Sequence, residues 1–253
     1  MCDQCGCSGV SPSDYAHPHD HPPHGKDTPP GRIVRLEQDL LAHNQKIAEA
    51  NRAWLGQRAI FALNLISSPG SGKTLLLERT LERLKDRIGL AVIVGDLQTD
   101  RDAARLRVHG VPVHQIETVN ACHLDASMVQ AALPEVVRPE TRLLLIENVG
   151  NLVCPAAFDL GENARAVLLS VTEGEDKPLK YPVPFRKCQT VVVTKTDLAP
   201  HVDWDRDQCL AHVRRVNPWA RLFEVSARSG LGLEAWIEAL VDAAASVAPP
   251  HGG

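Results

Sequence analysis

No apolar run in this 253-residue sequence approaches the roughly 20 residues that a helix needs to cross a bilayer. There is also no strong excess of charge of one sign: 27 Lys and Arg stand against 31 Asp and Glu, a formal net charge of −4. That balance gives no general attraction to nucleic acid or to an anionic membrane surface. The first residues, Met1-Cys2-Asp3-Gln4-Cys5, lack the charged-then-apolar order of a secretory signal, and a cytoplasmic protein is expected. In such a reducing compartment the seven cysteines, at positions 2, 5, 7, 122, 154, 188 and 209, read as metal ligands or buried thiols before disulfides. Cys188 and Cys209 read as ordinary thiols. A hydrophobic content of 44% suits a globular core, and the length suits one α/β domain with a tail.

The tail is residues 1–31. It holds too few hydrophobic residues to bury, so disorder is expected without a ligand. Cys2-x-x-Cys5-Gly6-Cys7 places three thiols within six residues, with Gly6 permitting a sharp turn that aims them at one ion. Loss of Met1 would make the Cys2 amine a fourth donor. A planar set of thiolates and deprotonated nitrogen suits Ni(II), whereas a tetrahedral set suits Zn(II). A redox CxxC fits less well, because no thioredoxin-like helix follows. His17, His19, His21 and His24, among prolines, are either a weak, fast-exchanging metal tether or a solvated linker. Over 32–57, Ile33, Leu36, Leu40, Ile47 and Trp54 recur at helical spacing. That stripe is expected to pack on the following domain or on a second subunit.

The domain itself is read over 58–247, with 248–253 left as a C-terminal tail. It opens with an apolar run at 60–66, then Ser67-Ser68-Pro69-Gly70-Ser71-Gly72-Lys73-Thr74, then a helical pattern of leucines. Strand, glycine-rich loop and helix in that order form a P-loop. Gly70, Ser71 and Gly72 let backbone N–H groups close around a phosphate, aided by the dipole of the helix N-terminus. Lys73 is placed to reach the β- and γ-phosphates and the Thr74 hydroxyl to ligate Mg²⁺. Ser67 stands where the pattern usually has its first glycine. The expected fold class is α/β, a P-loop NTPase with a mostly parallel central sheet flanked by helices.

Further strands are read at 90–94, 142–146, 167–171, 190–193 and 222–225, with a closing amphipathic helix at 233–246. Asp96 follows the first of these at the edge where ligands bind to parallel sheets, and it suits Mg²⁺ directly or through water. Glu147 ends the next and opens Glu147-Asn148-Val149-Gly150. There the Gly150 N–H is suited to sense a γ-phosphate and the Glu147 carboxylate to hold Mg²⁺ or its water. Thr194-Lys195-Thr196-Asp197 matches a guanine-reading loop. The Asp197 carboxylate accepts from the guanine N1–H and exocyclic amine together, a donor pair that adenine lacks. Ser226-Ala227 follows the last strand and suits backbone support of the base. GTP and GDP are therefore the expected nucleotides. Cys122-His123 is a modest metal signal, and Cys154, seven residues past Glu147 on one excursion, is its third candidate.

Taken with Glu173-Gly174-Glu175-Asp176-Lys177-Pro178 and the Cys2/Cys5/Cys7 tail, these motifs resemble the hydrogenase nickel-incorporation GTPases. The resemblance covers 32–246 and the tail in addition. It implies a dimerising metallochaperone-like GTPase with an interface site for nickel or zinc at Cys122, His123 and Cys154. It also implies nickel delivery to a hydrogenase large subunit with a partner accessory protein. The long polyhistidine store of some members is reduced here to four histidines. No glutamine or arginine is identifiable as a water-positioning or finger residue. Slow intrinsic hydrolysis is expected, with Lys73, Thr74, Asp96 and Glu147 stabilising charge around the phosphates. Since Glu147 and Cys154 share a loop, GTP and metal are expected to alter each other's affinity reciprocally. The alternatives are a urease-type nickel-insertion GTPase, a P-loop ATPase or kinase without metal function, and a metal-storage protein.

Overall fold

The computed structural model describes residues 30–96, 101–118 and 122–247, with side chains from position 38 onward apart from that of Asp96. The metal expectations at Cys2, Cys5, Cys7, His17, His19, His21 and His24, and the side chains of Ile33, Leu36 and Asp96, lie outside the described residues. The chain divides into two compact units, Met1–Asp39 and Leu40–Gly253. In the first, the described residues begin the helix α1 (Pro30–Gly56).

The second unit is built on strands whose residues alternate between two apolar layers. In β4 (Thr141–Glu147), Leu143 and Leu145 enter one hydrophobic cluster, while Leu144 and Ile146 enter another on the opposite face. Such two-sided burial explains why the run reads as continuously apolar, as parallel strands covered on both faces do. The other strands are β1 (Phe61–Ser67), β2 (Gly89–Asp96), β3 (Val113–Glu117), β5 (Ala164–Ser170), β6 (Thr190–Thr194) and β7 (Arg221–Val225). They form one seven-stranded sheet in the order β3-β2-β4-β1-β5-β6-β7, and every strand pairing in it is parallel. The carboxyl ends of all seven strands therefore share one edge, where α/β sheets bind ligands.

Helices cover both faces. α2 (Lys73–Leu84) buries Leu76, Leu77, Thr80, Leu81 and Leu84, a stripe at helical spacing. It packs with α8 (Leu233–Ala245), whose buried Trp236 donates its indole N–H to Thr80 Oγ1 at 3.0 Å. The remaining helices are α3 (Arg101–Arg107), α4 (Ala126–Val136), α5 (Lys177–Lys180), α6 (Pro182–Lys187) and α7 (Arg206–Val216). Asp125 caps α4 by accepting from the Met128 N–H at 2.9 Å. No helix among the described residues is long and apolar enough to cross a membrane.

Three sequence expectations change. The stripe expected on α1 is only partly buried: Trp54 packs half-buried against the core beneath the Arg58 guanidinium, whereas Leu40 is 58% exposed. The buried face is Asn44, Ala48, Asn51 and Leu55. The two asparagines point inward because they satisfy loop backbone: Asn44 accepts from Ala126 N–H and donates to Asp159 O, and Asn51 donates to Ala126 O and Leu160 O. β3, unread in the sequence, is a half-buried edge strand carrying His114 and Gln115, so it lacks a core strand's apolar run. β5 ends at Ser170 rather than 171, because Ser170 and Glu173 form a capping box that starts a 3₁₀ turn at Val171.

Candidate active site

The P-loop joins the end of β1 to the first turn of α2. Gly70 and Gly72 adopt φ of 72° and 91°, the left-handed region that a side chain disfavours. Ser67, fully buried, supplies an anchor where a glycine has none. Its hydroxyl accepts from Ser71 Oγ at 2.6 Å and from the Lys73 ammonium at 3.2 Å, and donates to Ser68 O at 2.9 Å. Across the loop, Thr74 Oγ1 donates to Glu147 Oε1 at 2.8 Å. Glu147 is 3% exposed, and its Oε2 has no hydrogen-bond partner. Burial pushes its carboxyl up to about 7, against the opposing pull of Lys73 and Thr74.

A buried carboxylate oxygen without a partner, beside a threonine hydroxyl, fits a hard divalent cation such as Mg²⁺. Gly150 closes the same space, since a Cβ built there would stand 3.4 Å from Pro69 Cα. The resulting cavity, about 470 Å³, is lined by the P-loop, Gly95, Glu147 and Gly150, with Asp102 and Arg105 at its rim. Those last two are the residues that sequence reasoning missed. Arg105 forms a two-pronged pair with Glu78 of α2, at 2.9 and 2.7 Å. The nearness of α3 to the phosphate loop arises only from the packing of α3 on α2, so no local pattern announces it.

A second cavity of about 230 Å³ adjoins the first at Gly72 and Leu75 and is lined by Thr194, Lys195, Asp197, Val225 and Ala227. Asp197 is aimed by Ser226, whose hydroxyl donates to Asp197 Oδ1 at 2.6 Å. Lys195 holds a left-handed backbone at φ 57° and donates to Gly70 O at 2.7 Å, so its stem lies along the P-loop. Thr194, standing where an asparagine is usual, donates its hydroxyl to Ser71 O at 2.6 Å. The Thr194-Lys195-Thr196-Asp197 loop is thus fastened to the P-loop by two side chains.

The thiols lie on the loops behind Gly150. Cys122 is exposed and neighbours Cys154, and its Sγ stands 3.7 Å from His123 Nδ1. The Cys154 contact holds the Cys122 thiol above its ordinary range, with burial adding to it. His123 stacks on Phe158 with ring centroids 3.9 Å apart, and burial lowers its pKa. Among the described residues no three His, Cys, Asp or Glu side chains converge as a ready metal set. The two thiols and the imidazole are neighbours, not a finished chelate.

The description "CobW/HypB/UreG, nucleotide-binding domain" matches residues 61–224. Hydrogenase maturation factor HypB of Azotobacter vinelandii is 57% identical over 206 residues, covering 81% of this chain and 68% of that protein. The chain belongs to the HypB family of hydrogenase maturation factors. Two solved HypB structures agree in fold, each with a TM-score of 0.76. The Archaeoglobus fulgidus protein is 41% identical, covering 81% of this chain and all of that one. The Helicobacter pylori protein, in complex with nickel, is 38% identical, covering 83% of this chain and all of that one. A P-loop NTPase fold in this family supports nucleotide binding and hydrolysis.

In this HypB-family chain the described cysteines fall into two chemical classes. Burial pushes Cys188 up to about 12 and Cys209 up to about 11, and both have fully or nearly enclosed side chains. Cys122 and Cys154 are reachable from solvent. Brief alkylation of the folded protein at pH 8, mapped by peptide mass, is expected to modify Cys122 and Cys154. Cys188 and Cys209 are expected to react only after denaturation. Labelling of Cys188 in the folded state would contradict its placement against Phe185 O.

Proposed function

We propose that this chain is a GTP-hydrolysing metallochaperone that binds nickel and drives its insertion into the large subunit of a [NiFe]-hydrogenase. The observation that carries this reading is the single loop from Glu147 to Cys154, with a carboxylate at the phosphate cavity and a thiol beside Cys122. The nickel named for the Helicobacter pylori relative supports the choice of cargo. Guanine is selected by Asp197, held by Ser226, with Lys195 along the nucleotide and Ala227 beneath the base. Thr74 and Glu147, with Asp96, hold Mg²⁺, which when bound neutralises charge on the phosphates. Lys73 leaves Ser67 for the β- and γ-phosphates, and the Gly150 N–H reports the γ-phosphate.

Hydrolysis is slow: Arg105 is held by Glu78, and no glutamine lines the phosphate cavity among the described residues. Cys122, His123 and Cys154 supply three ligands, and a second copy completes the coordination, so a homodimer forms around the ion. Zinc is the competing occupant. Cys2, Cys5 and Cys7 form a separate, tighter nickel site. The protein works in the cytoplasm with a nickel accessory protein and the hydrogenase large subunit as partners.

The test is nickel titration of the full chain and of a Cys2/Cys5/Cys7→Ala variant, each with GDP and with a non-hydrolysable GTP analogue. The variant is expected to lose a tight site and keep a weaker one whose affinity differs by about 5–150-fold between nucleotides, the usual range of allosteric coupling. Equal affinity in both nucleotide states, at matched dimer fraction, would sink the linkage. Normal nickel handling after Lys73→Ala would favour a storage protein.

A further inference from the structure

The interior of the sheet holds a polar chain that meets the phosphate cavity at Asn148. Asn64 lies mid-strand in β1, between Leu63 and Leu65, with none of its surface exposed. A buried amide is unfavourable there unless every group is paired. Its Oδ1 accepts from Asn148 Nδ2 at 3.2 Å, and its Nδ2 donates to Glu162 Oε1 at 3.3 Å. Glu162, also buried, pairs with Arg165 Nε at 2.5 Å and accepts from Leu160 N–H at 2.7 Å.

Both ends of this chain reach the thiol loops. Asn148 Oδ1 accepts from Val149 N–H at 3.0 Å and from Leu124 N–H at 3.2 Å. One oxygen thus ties the loop that carries Gly150 to the residue that follows His123. At the other end, Arg165 donates to Ala156 O at 3.1 Å and to Phe158 O at 3.0 Å. That grips the segment following Cys154, and Phe158 is the ring on which His123 stacks. The main chain of Asn148 is pinned to β1 through Leu65 O at 3.1 Å. A shift of Val149 and Gly150 would therefore bear on the Asn148 side chain and on what it holds.

We infer that the Asn148–Asn64–Glu162–Arg165 chain sets the Cys122/His123 and Cys154 loops relative to the γ-phosphate loop, making these four positioning residues for the linkage between nucleotide and metal. The inference rests on the nucleotide–metal linkage proposed above. Asn64 is one step removed from both sites: it does not line the phosphate cavity, and its side chain bonds Asn148 and Glu162 rather than Cys122, His123 or Cys154. A network that merely filled the core would change stability alone; a positioning network changes the linkage.

The experiment uses full-length protein with Cys2, Cys5 and Cys7 replaced by alanine, so that Ni²⁺ reports only on the remaining site. The nickel dissociation constant is measured with GDP and with the non-hydrolysable GTP analogue, before and after Asn64→Ala and, separately, Arg165→Lys. Arg165→Lys keeps the charge beside Glu162 and removes the fork onto the two carbonyls, so it retains folding if Asn64→Ala does not. The expected result is a nucleotide-dependent ratio that collapses to within about twofold of unity, while nucleotide affinity and GDP-state nickel affinity move by less than about threefold. If the parent shows a ratio and either folded variant keeps it in full, the chain is structural and the inference is overturned. If the parent itself shows no ratio, the linkage reading fails first and this inference with it, a distinguishable outcome.

Discussion

Asp197→Asn is expected to lower GTP affinity by about two to four orders of magnitude, because two hydrogen bonds to an ionised carboxylate contribute about 1.5–3 kcal/mol each. The loss is more than subtraction. The guanine edge offers two donors, N1–H and the exocyclic amine, and a carboxylate accepts both. An asparagine turns one acceptor into an N–H donor facing a donor. The hydroxyl of Ser226, 2.6 Å from Asp197 Oδ1, holds the amide's single oxygen toward itself, so the amide nitrogen is aimed at the base. Xanthine, with a carbonyl where guanine has its amine, then becomes the better ligand. Competition titrations with GTP, ATP and xanthosine triphosphate measure this directly. Retention of GTP preference by the variant would show that Asp197 does not read the base.

Glu147→Gln is expected to act in two opposed directions. Hydrolysis falls by about 10²–10³-fold, as when a single preorganised electrostatic group is removed from a transition state. Stability of the protein free of nucleotide and metal rises at alkaline pH. In the folded chain the Glu147 carboxyl keeps its proton up to about 7, whereas its ordinary value is 4.5. The folded state therefore binds more protons than the unfolded state between those values. The stability this gives is fully present below about 4.5 and is lost as pH rises through about 7. At pH 8 the ionised buried carboxylate lowers stability by roughly 3–4 kcal/mol, at about 1.4 kcal/mol for each tenfold change in the ionisation constant. The glutamine variant escapes that loss. Urea unfolding in a chelator at pH 5 and pH 8 checks it: the variant should gain at pH 8 and show little difference at pH 5. An equal gain at both values would assign the effect to packing.

The placement of the candidate nucleotide site was largely legible in the sequence because the loops that form it need particular residue types. Gly70 and Gly72 hold left-handed backbone, and Asp197 lines the adjoining cavity, the position proposed for a donor pair, so each leaves a local signature. Strands buried on both faces, such as β4, were legible for the same reason. What stayed hidden depends on contacts remote in the chain. Asn44 and Asn51 look like solvent-facing helix residues until the backbone they satisfy, near Ala126 and Leu160, is brought to them. Ser67 reads as a departure from a glycine pattern, and only the fold shows its hydroxyl holding Ser71 and Lys73. Arg105 and the Asn64–Asn148 pair are likewise products of packing; nothing within either one's own segment marks it.

The strand order has a consequence for how the molecule is made. β4 lies between β2 and β1, both of which precede it in the chain. The phosphate loop after β1 is synthesised early, yet Glu147 and Gly150 arrive only when a later strand wedges into the middle of the sheet. Parallel pairing over such separations is slow, since the chain entropy is lost before the contacts form. A nascent chain therefore has the glycines and lysine of its P-loop well before it has a closed pocket. Nucleotide becomes a ligand of the finished sheet, and nucleotide in the cell should favour the chains in which that central strand has seated.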